Sequence, residues 1–154
     1  MRRVRYVMEF KGRGEQRSDG ANIWITASAA PSAHVTTTVG AEGVDATIEE
    51  IAGGRAEFNS EVEAHDKGPL EAGKLFREWG TISFGGDNVL RFDTVGAGRM
   101  DPVGDSGVSQ GGIVWSVEGG TGQFDGATGI ITSNFAVDAD GEVTDYHCGV
   151  IFLP

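Results

Sequence analysis

Asp145 and His147 stand two positions apart in the run Val143–Leu153, so in an extended chain they share one face. An imidazole beside a carboxylate is the arrangement that moves protons near neutral pH, with the carboxylate orienting the ring and stabilising its charged form. Ile130–Val137 precedes this run, and the intervening Asp138-Ala-Asp-Gly141 carries the Asp-Gly pair that favours a hairpin. A two-residue Asp140-Gly141 loop sets Asn134 opposite His147, Ala136 opposite Asp145 and Thr132 opposite Gly149. The reading is then one polar face (Thr132, Asn134, Asp145, His147) and one apolar face on which Phe135, Tyr146, Val150, Ser133 and Cys148 meet. The polar face either lies wet on the exterior, as in a one-sided sheet, or stands at the mouth of an interior pocket.

Stronger catalytic signatures are absent from the sequence. It holds no Gly-x-Ser-x-Gly elbow, P-loop or His-Glu-x-x-His. Histidines at 34, 65 and 147 are too scattered to argue for a metal, and neither metal nor cofactor is expected. The lone Cys148 forms no internal disulfide and reads as an inert buried thiol. A net charge of −11 disfavours nucleic acid and anionic membranes as partners. No stretch reaches the length of a membrane span, and Met1–Phe10 lacks the pattern of a secretory signal, so the expected location is the cytoplasm.

The elements that position these residues read as strands throughout. The 154 residues are enough for one domain with a real core, and 25 glycines without collagen period suit an all-β chain of many tight turns. Val4–Phe10 alternates, with Val4, Tyr6, Met8 and Phe10 on one side and Arg5, Val7 and Glu9 on the other; an outer strand with that apolar side exposed calls for a neighbouring chain to cover it. Lys11–Gly20 reads as a loop, Ala21–Ala27 and His34–Val39 as strands. Thr47–Ile51 and Arg55–Ala64 flank Gly53-Gly54 as a hairpin, with a short helix at Ala46–Ala52 as its rival. Gly73–Phe84 is more β, anchored by Leu75, Trp79, Ile82 and Phe84. Gly96–Gln110 reads as the longest structureless segment, a loop over one end of the fold.

Gly80-Thr-Ile-Ser-Phe84, Val89-Leu-Arg-Phe-Asp93 and the element Val117-Glu-Gly-Gly-Thr-Gly-Gln-Phe-Asp-Gly-Ala-Thr-Gly129 occur in an order that resembles the allene oxide cyclase and dirigent-protein group. The resemblance covers roughly Gly80–Leu153. It implies a single closed antiparallel β-barrel of about eight strands over residues 1–154, with an apolar lumen and homotrimeric assembly, a dimer being the alternative. It further implies a carboxylate on the first strand facing the lumen, a place that Glu9 matches, although Lys11 stands where a polar residue is expected two positions later. Desolvation in such a lumen would raise a carboxylate's pKa and fit it to protonate an epoxide, abstract a proton or stabilise a cation.

The expected function is therefore a cofactor-free isomerase, cyclase or lyase acting on a small hydrophobic molecule, epoxide-, polyketide- or terpenoid-like, with Glu9, Asp145 and His147 as catalytic candidates. Trp24, Trp115, Phe92 and Asn134 are the candidate substrate contacts. A non-catalytic carrier or dirigent-type protein uses the same lumen without proton transfer, and a structural oligomer fills it with its own side chains.

Overall fold

The computed structural model describes the backbone of residues 1–19, 22–29, 33–50 and 56–154, and the side chains of 1–17, 40–44 and 56–154. Among the described residues eleven strands form one antiparallel sheet: β1 (Arg2–Asp19), β2 (Asn22–Ala29), β3 (Ala33–Gly40), β4 (Gly43–Glu50), β5 (Glu57–Ala64), β6 (Leu75–Ser83), β7 (Val89–Thr94), β8 (Gly98–Pro102), β9 (Ser109–Gly120), β10 (Thr128–Val137) and β11 (Glu142–Leu153). No helix among the described residues is long and apolar enough to cross a membrane.

Strand pairing is set by which residues alternate. In β5, Phe58, Ser60, Val62 and Ala64 are buried while Glu57, Asn59 and Glu61 are exposed, a period of two that allows one register only. β1 is unusually long, at 18 residues, because it serves two partners. Arg2–Arg13 pairs with β11 and Gly12–Asp19 pairs with β2, so Gly12 faces both Val143 and Ala29. β2 pairs with β5, β5 with β6, β6 with β7, β7 with β9, β9 with β10 and β10 with β11. β8 bridges β6 and β9, and β3 and β4 form a hairpin that touches β1 at Glu9.

One face of this sheet carries the core. Phe10 of β1, Phe58 of β5, Phe92 of β7 and Trp115 of β9 come from separated strands yet pack ring to ring, at 5.7 Å for Phe10–Phe58 and for Phe58–Trp115 and 4.3 Å for Phe92–Trp115. The sheet must curve over its apolar face for these rings to meet. Each such ring contributes on the order of 2–3 kcal/mol by leaving water. The glycine element bends β9 as its composition predicts. The register with β7 slips between Leu90 and Phe92, and Gly119 takes φ +79 there. A single 3-10 turn, Gly122–Phe124, then lowers Phe124 into the core against Phe84 at 5.2 Å.

Four sequence expectations give way. Lys11–Asp19 is strand, since Gly12, Gly14 and Gln16 alternate with outward Arg13, Glu15 and Arg17, and glycine on the inner side admits the crowded handover between β11 and β2. β4 pairs with β3 across the Gly40–Gly43 turn and β5 with β2, so the Gly53-Gly54 hairpin does not form between those strands; Gly53 and Gly54 themselves lie outside the described residues. The 96–110 segment contains β8 and the start of β9, leaving only the short turn between them irregular. Tyr6, Met8 and Phe10 are core residues with Val4 packed against them, which removes the argument for association built on their exposure.

Candidate functional site

β11 brings Asp145 and His147 to the core face, where His147 is fully buried and Asp145 nearly so. The β10–β11 register pairs Ser133 with His147 and Phe135 with Asp145. This is one step from the pairing that a two-residue loop would give. Asp138 N–H donates to Glu142 O and Gly141 N–H to Asp138 O, with φ positive at Gly141. The longer turn changes the parity of the hairpin, so odd-numbered residues of both strands share the inner face. Ser133 therefore replaces Asn134 beside the histidine, Asn134 is exposed, and Cys148 is exposed as well.

A continuous hydrogen-bond chain results. Ser133 Oγ donates to Asp145 Oδ1 at 2.7 Å, His147 Nε2 lies 2.9 Å from Asp145 Oδ2, and Tyr6 Oη lies 3.1 Å from His147 Nδ1. A neutral imidazole with its proton on Nε2 satisfies every partner: the ring donates to Asp145 and accepts from the Tyr6 hydroxyl. Burial, and then the negative charge of Asp145, hold the Tyr6 phenol far above its ordinary pKa, which keeps that hydroxyl a donor. Phe10, Phe58 and Trp115 enclose the imidazole with ring centroids 4.7, 5.0 and 4.9 Å away.

A cavity of about 540 Å³ opens beside this chain. Phe58, Val62, Phe76, Met100 and Phe135 form its apolar wall, while Gln16, Gly107, Asp138 and Asp140 stand among the residues of its rim. Asp145 lines it, whereas His147 stands behind Asp145 and does not. The roles expected of this pair are thus exchanged: the imidazole holds the carboxylate, and the carboxylate meets the cavity.

The second lining carboxyl is Glu78 on β6, in phase with the buried Phe76 and Ile82. Burial pushes its pKa up to about 8, opposed first by Ser60, reinforced less by the charge of Asp145 and opposed least by Trp115. Ser60 Oγ and Trp115 Nε1 are themselves buried without a hydrogen-bond partner. They stand close enough to the Glu78 carboxyl to influence its proton, yet outside bonding geometry. Glu78 does not stand out in the sequence, because Leu75 and Trp79 at the opposite parity read as anchors of this strand. Leu75 is exposed, and Trp79 lies on the other face with Arg77 over its ring. The legible signal was a charged residue at even spacing from Phe76, Ile82 and Phe84.

The remaining candidates fall elsewhere. Glu9 lies on the opposite face of β1 from Tyr6, Met8 and Phe10, buried beside Lys11 Nζ at 3.3 Å and paired in register with Tyr146. It does not join Asp145 and His147. Trp115 and Phe92 are buried in the aromatic core behind the cavity wall. Trp24 lies on β2, and its side chain is outside those described. Among the described residues no group of three or more histidine, cysteine or carboxylate side chains could hold a metal ion.

Comparison with family models, with characterised proteins and with solved structures returned no match to this chain.

Proposed function

We propose that the sheet closes as an antiparallel barrel and that its cavity binds a small hydrophobic molecule, on which the protein acts as an isomerase, cyclase or lyase by proton transfer. Closure is supported by β1, which is hydrogen-bonded to β2 on one side and β11 on the other, the pairs in between leading from one to the other through seven strands, so that with β1 the ring counts eight. The allene oxide cyclase-like class rests on the resemblance in Gly80–Leu153.

One observation carries the chemistry: two buried carboxyl groups, Glu78 and Asp145, line a cavity with an apolar wall and a polar rim, in different environments. Glu78 keeps its proton at neutral pH, and Asp145 accepts a hydrogen bond from the Ser133 hydroxyl and meets the His147 ring. Carboxyl groups in such different environments can divide into acid and base. Glu78 delivers its proton to an oxygen of the guest, and Asp145 removes one from a neighbouring carbon. In an isomerisation or cyclisation the guest keeps all its atoms. In a lyase reaction the oxygen protonated by Glu78 departs as water or an alcohol, while the carbon that gave its proton to Asp145 forms the new double bond. Solvent at the rim returns the proton from Asp145 to Glu78. His147, Ser133 and Tyr6 are positioning residues.

The second reading is a carrier, favoured by the wall of Phe58, Val62, Phe76, Met100 and Phe135, which holds an apolar guest without chemistry. Organic extraction of the purified protein and mass spectrometry identify the guest, which is then incubated with wild type, Glu78→Gln and Asp145→Asn. Conversion by wild type, lost in either variant while affinity stays within about tenfold, supports the enzyme. A guest returned unchanged by all three makes the protein a carrier. If no guest is found and N-phenyl-1-naphthylamine does not bind, both readings fall.

A further inference from the structure

We infer that the outer face of the sheet carries a binding site distinct from the cavity, a groove at Trp79 that takes a neutral oligosaccharide. The groove lies across β6 from Glu78 and the cavity, so neither reading depends on the other.

Strand register builds it. Glu61, Trp79 and Asp93 stand side by side on β5, β6 and β7, and Asn59, Thr81 and Arg91 form the next such row. Partners on adjacent strands are about 5 Å apart, so polar side chains flank the indole on both sides. The groove measures about 480 Å³, a volume suited to a small ligand, and Glu118 of β9 also lines it. Trp79 is half-buried and fixed in place. Arg77 Nε donates to Asp93 Oδ1 at 3.0 Å and its Nη2 donates to Asp93 Oδ2, and this fork seats the guanidinium 5.3 Å from the centre of the indole. A ring held in this way beforehand spares the ligand the cost of ordering it.

The surroundings of the indole select the ligand. An anion would meet Glu61, Asp93 and Glu118 in a chain of net charge −11. A cation would meet the guanidinium of Arg77, already on the ring, and that of Arg91. A neutral ligand meets neither penalty. Arg91 donates, Glu61 and Glu118 accept, and Asn59 and Thr81 do both. Hydroxyl groups, each donor and acceptor at once, match that mixture. A pyranose ring carries several of them around a flat C–H face, whose hydrogens suit the negative face of an aromatic ring.

Calorimetric titration of the wild-type protein, Trp79→Ala and Trp79→Phe with cellohexaose, xylohexaose, mannohexaose and maltohexaose tests this, with hexagalacturonate and choline as charged counterparts. At least one neutral hexasaccharide is expected to bind wild type with a Kd of about 1 mM or tighter. Trp79→Ala should weaken that binding about tenfold, and Trp79→Phe, which keeps an aromatic face, should restore most of it. In wild type the amide spectrum should shift at the Trp79 indole N–H and at Glu61, Thr81 and Arg91, a readout that needs no variant. Absence of binding by all four neutral sugars overturns the inference. So does tighter binding of hexagalacturonate or choline than of any neutral sugar. Unchanged affinity in Trp79→Ala, or shifts confined to other residues, overturns it as well.

Discussion

At the scale of single residues, Glu78 is the group most at odds with its surroundings, and its discomfort is measurable. Its folded-state pKa near 8 lies above the ordinary 4.5, so between those values the folded protein holds a proton that the unfolded chain gives up. Stability must therefore fall as pH rises through that window, by at most about 1.4 kcal/mol per pH unit, and level off above it. Urea titrations from pH 5 to about 9 should show this decline in wild type and its absence in Glu78→Gln. The exposed pairs Asp66–Lys74, Asp93–Arg77 and Asp101–Arg99 hold their carboxylates low and act only in more acidic solution. A flat profile in wild type would mean that the Glu78 carboxyl is solvated. Ser133→Ala strips Asp145 Oδ1 of its donor and should cost about 1–3 kcal/mol, whereas Thr132→Ala, whose hydroxyl meets Cys148 O on the outer face, should cost about 0.5 kcal/mol or less.

At the scale of elements, the parity of the β10–β11 hairpin decides which chemistry faces inward. Cys148 is exposed, so a maleimide should label it in the folded protein as fast as in urea, while a cysteine placed at Ser133 should resist until unfolding. The opposite pattern would restore the two-residue turn. This hairpin also shows what was readable beforehand. The strands Ile130–Val137 and Val143–Leu153 and the pair Asp145/His147 follow from alternation, which needs no partner to be seen. The partner of His147 does not, because one residue more in the turn replaces Asn134 by Ser133, and Asp-Gly occurs in turns of both lengths. Glu78 escaped for a related reason: β6 offers apolar residues at both parities, and only packing says that Phe76 and Ile82 are the inner set. The glycine element was legible because its demands are local. A Cβ on Gly120 would come within 1.9 Å of Val89 O and 2.8 Å of Phe124 Cβ, so Gly120→Ala should destabilise by several kcal/mol and lower the melting temperature accordingly.

At the scale of the whole molecule, the pairing of β1 with β11 ties one end of the sequence to the other. Arg5 and Val150 are partners in register, on the face away from the core. In a Cys148→Ser background, Arg5→Cys with Val150→Cys should form a disulfide under mild oxidation. It should raise stability by up to about 5 kcal/mol, since the cross-link closes nearly the entire chain. Failure to oxidise in the folded state would contradict the pairing, and with it the route by which the strands lead back to β1.

That same seam governs how the protein comes into being. Arg2 finds Leu153 only after everything between them exists, so the first strand stays unzipped along its amino-terminal half until β11 has emerged from the ribosome. Until then the apolar side of β1, carrying Tyr6, Met8 and Phe10, waits without cover. Contacts so distant in sequence place refolding at the slow end, on the order of milliseconds to seconds, and make the nascent chain a natural client for chaperones.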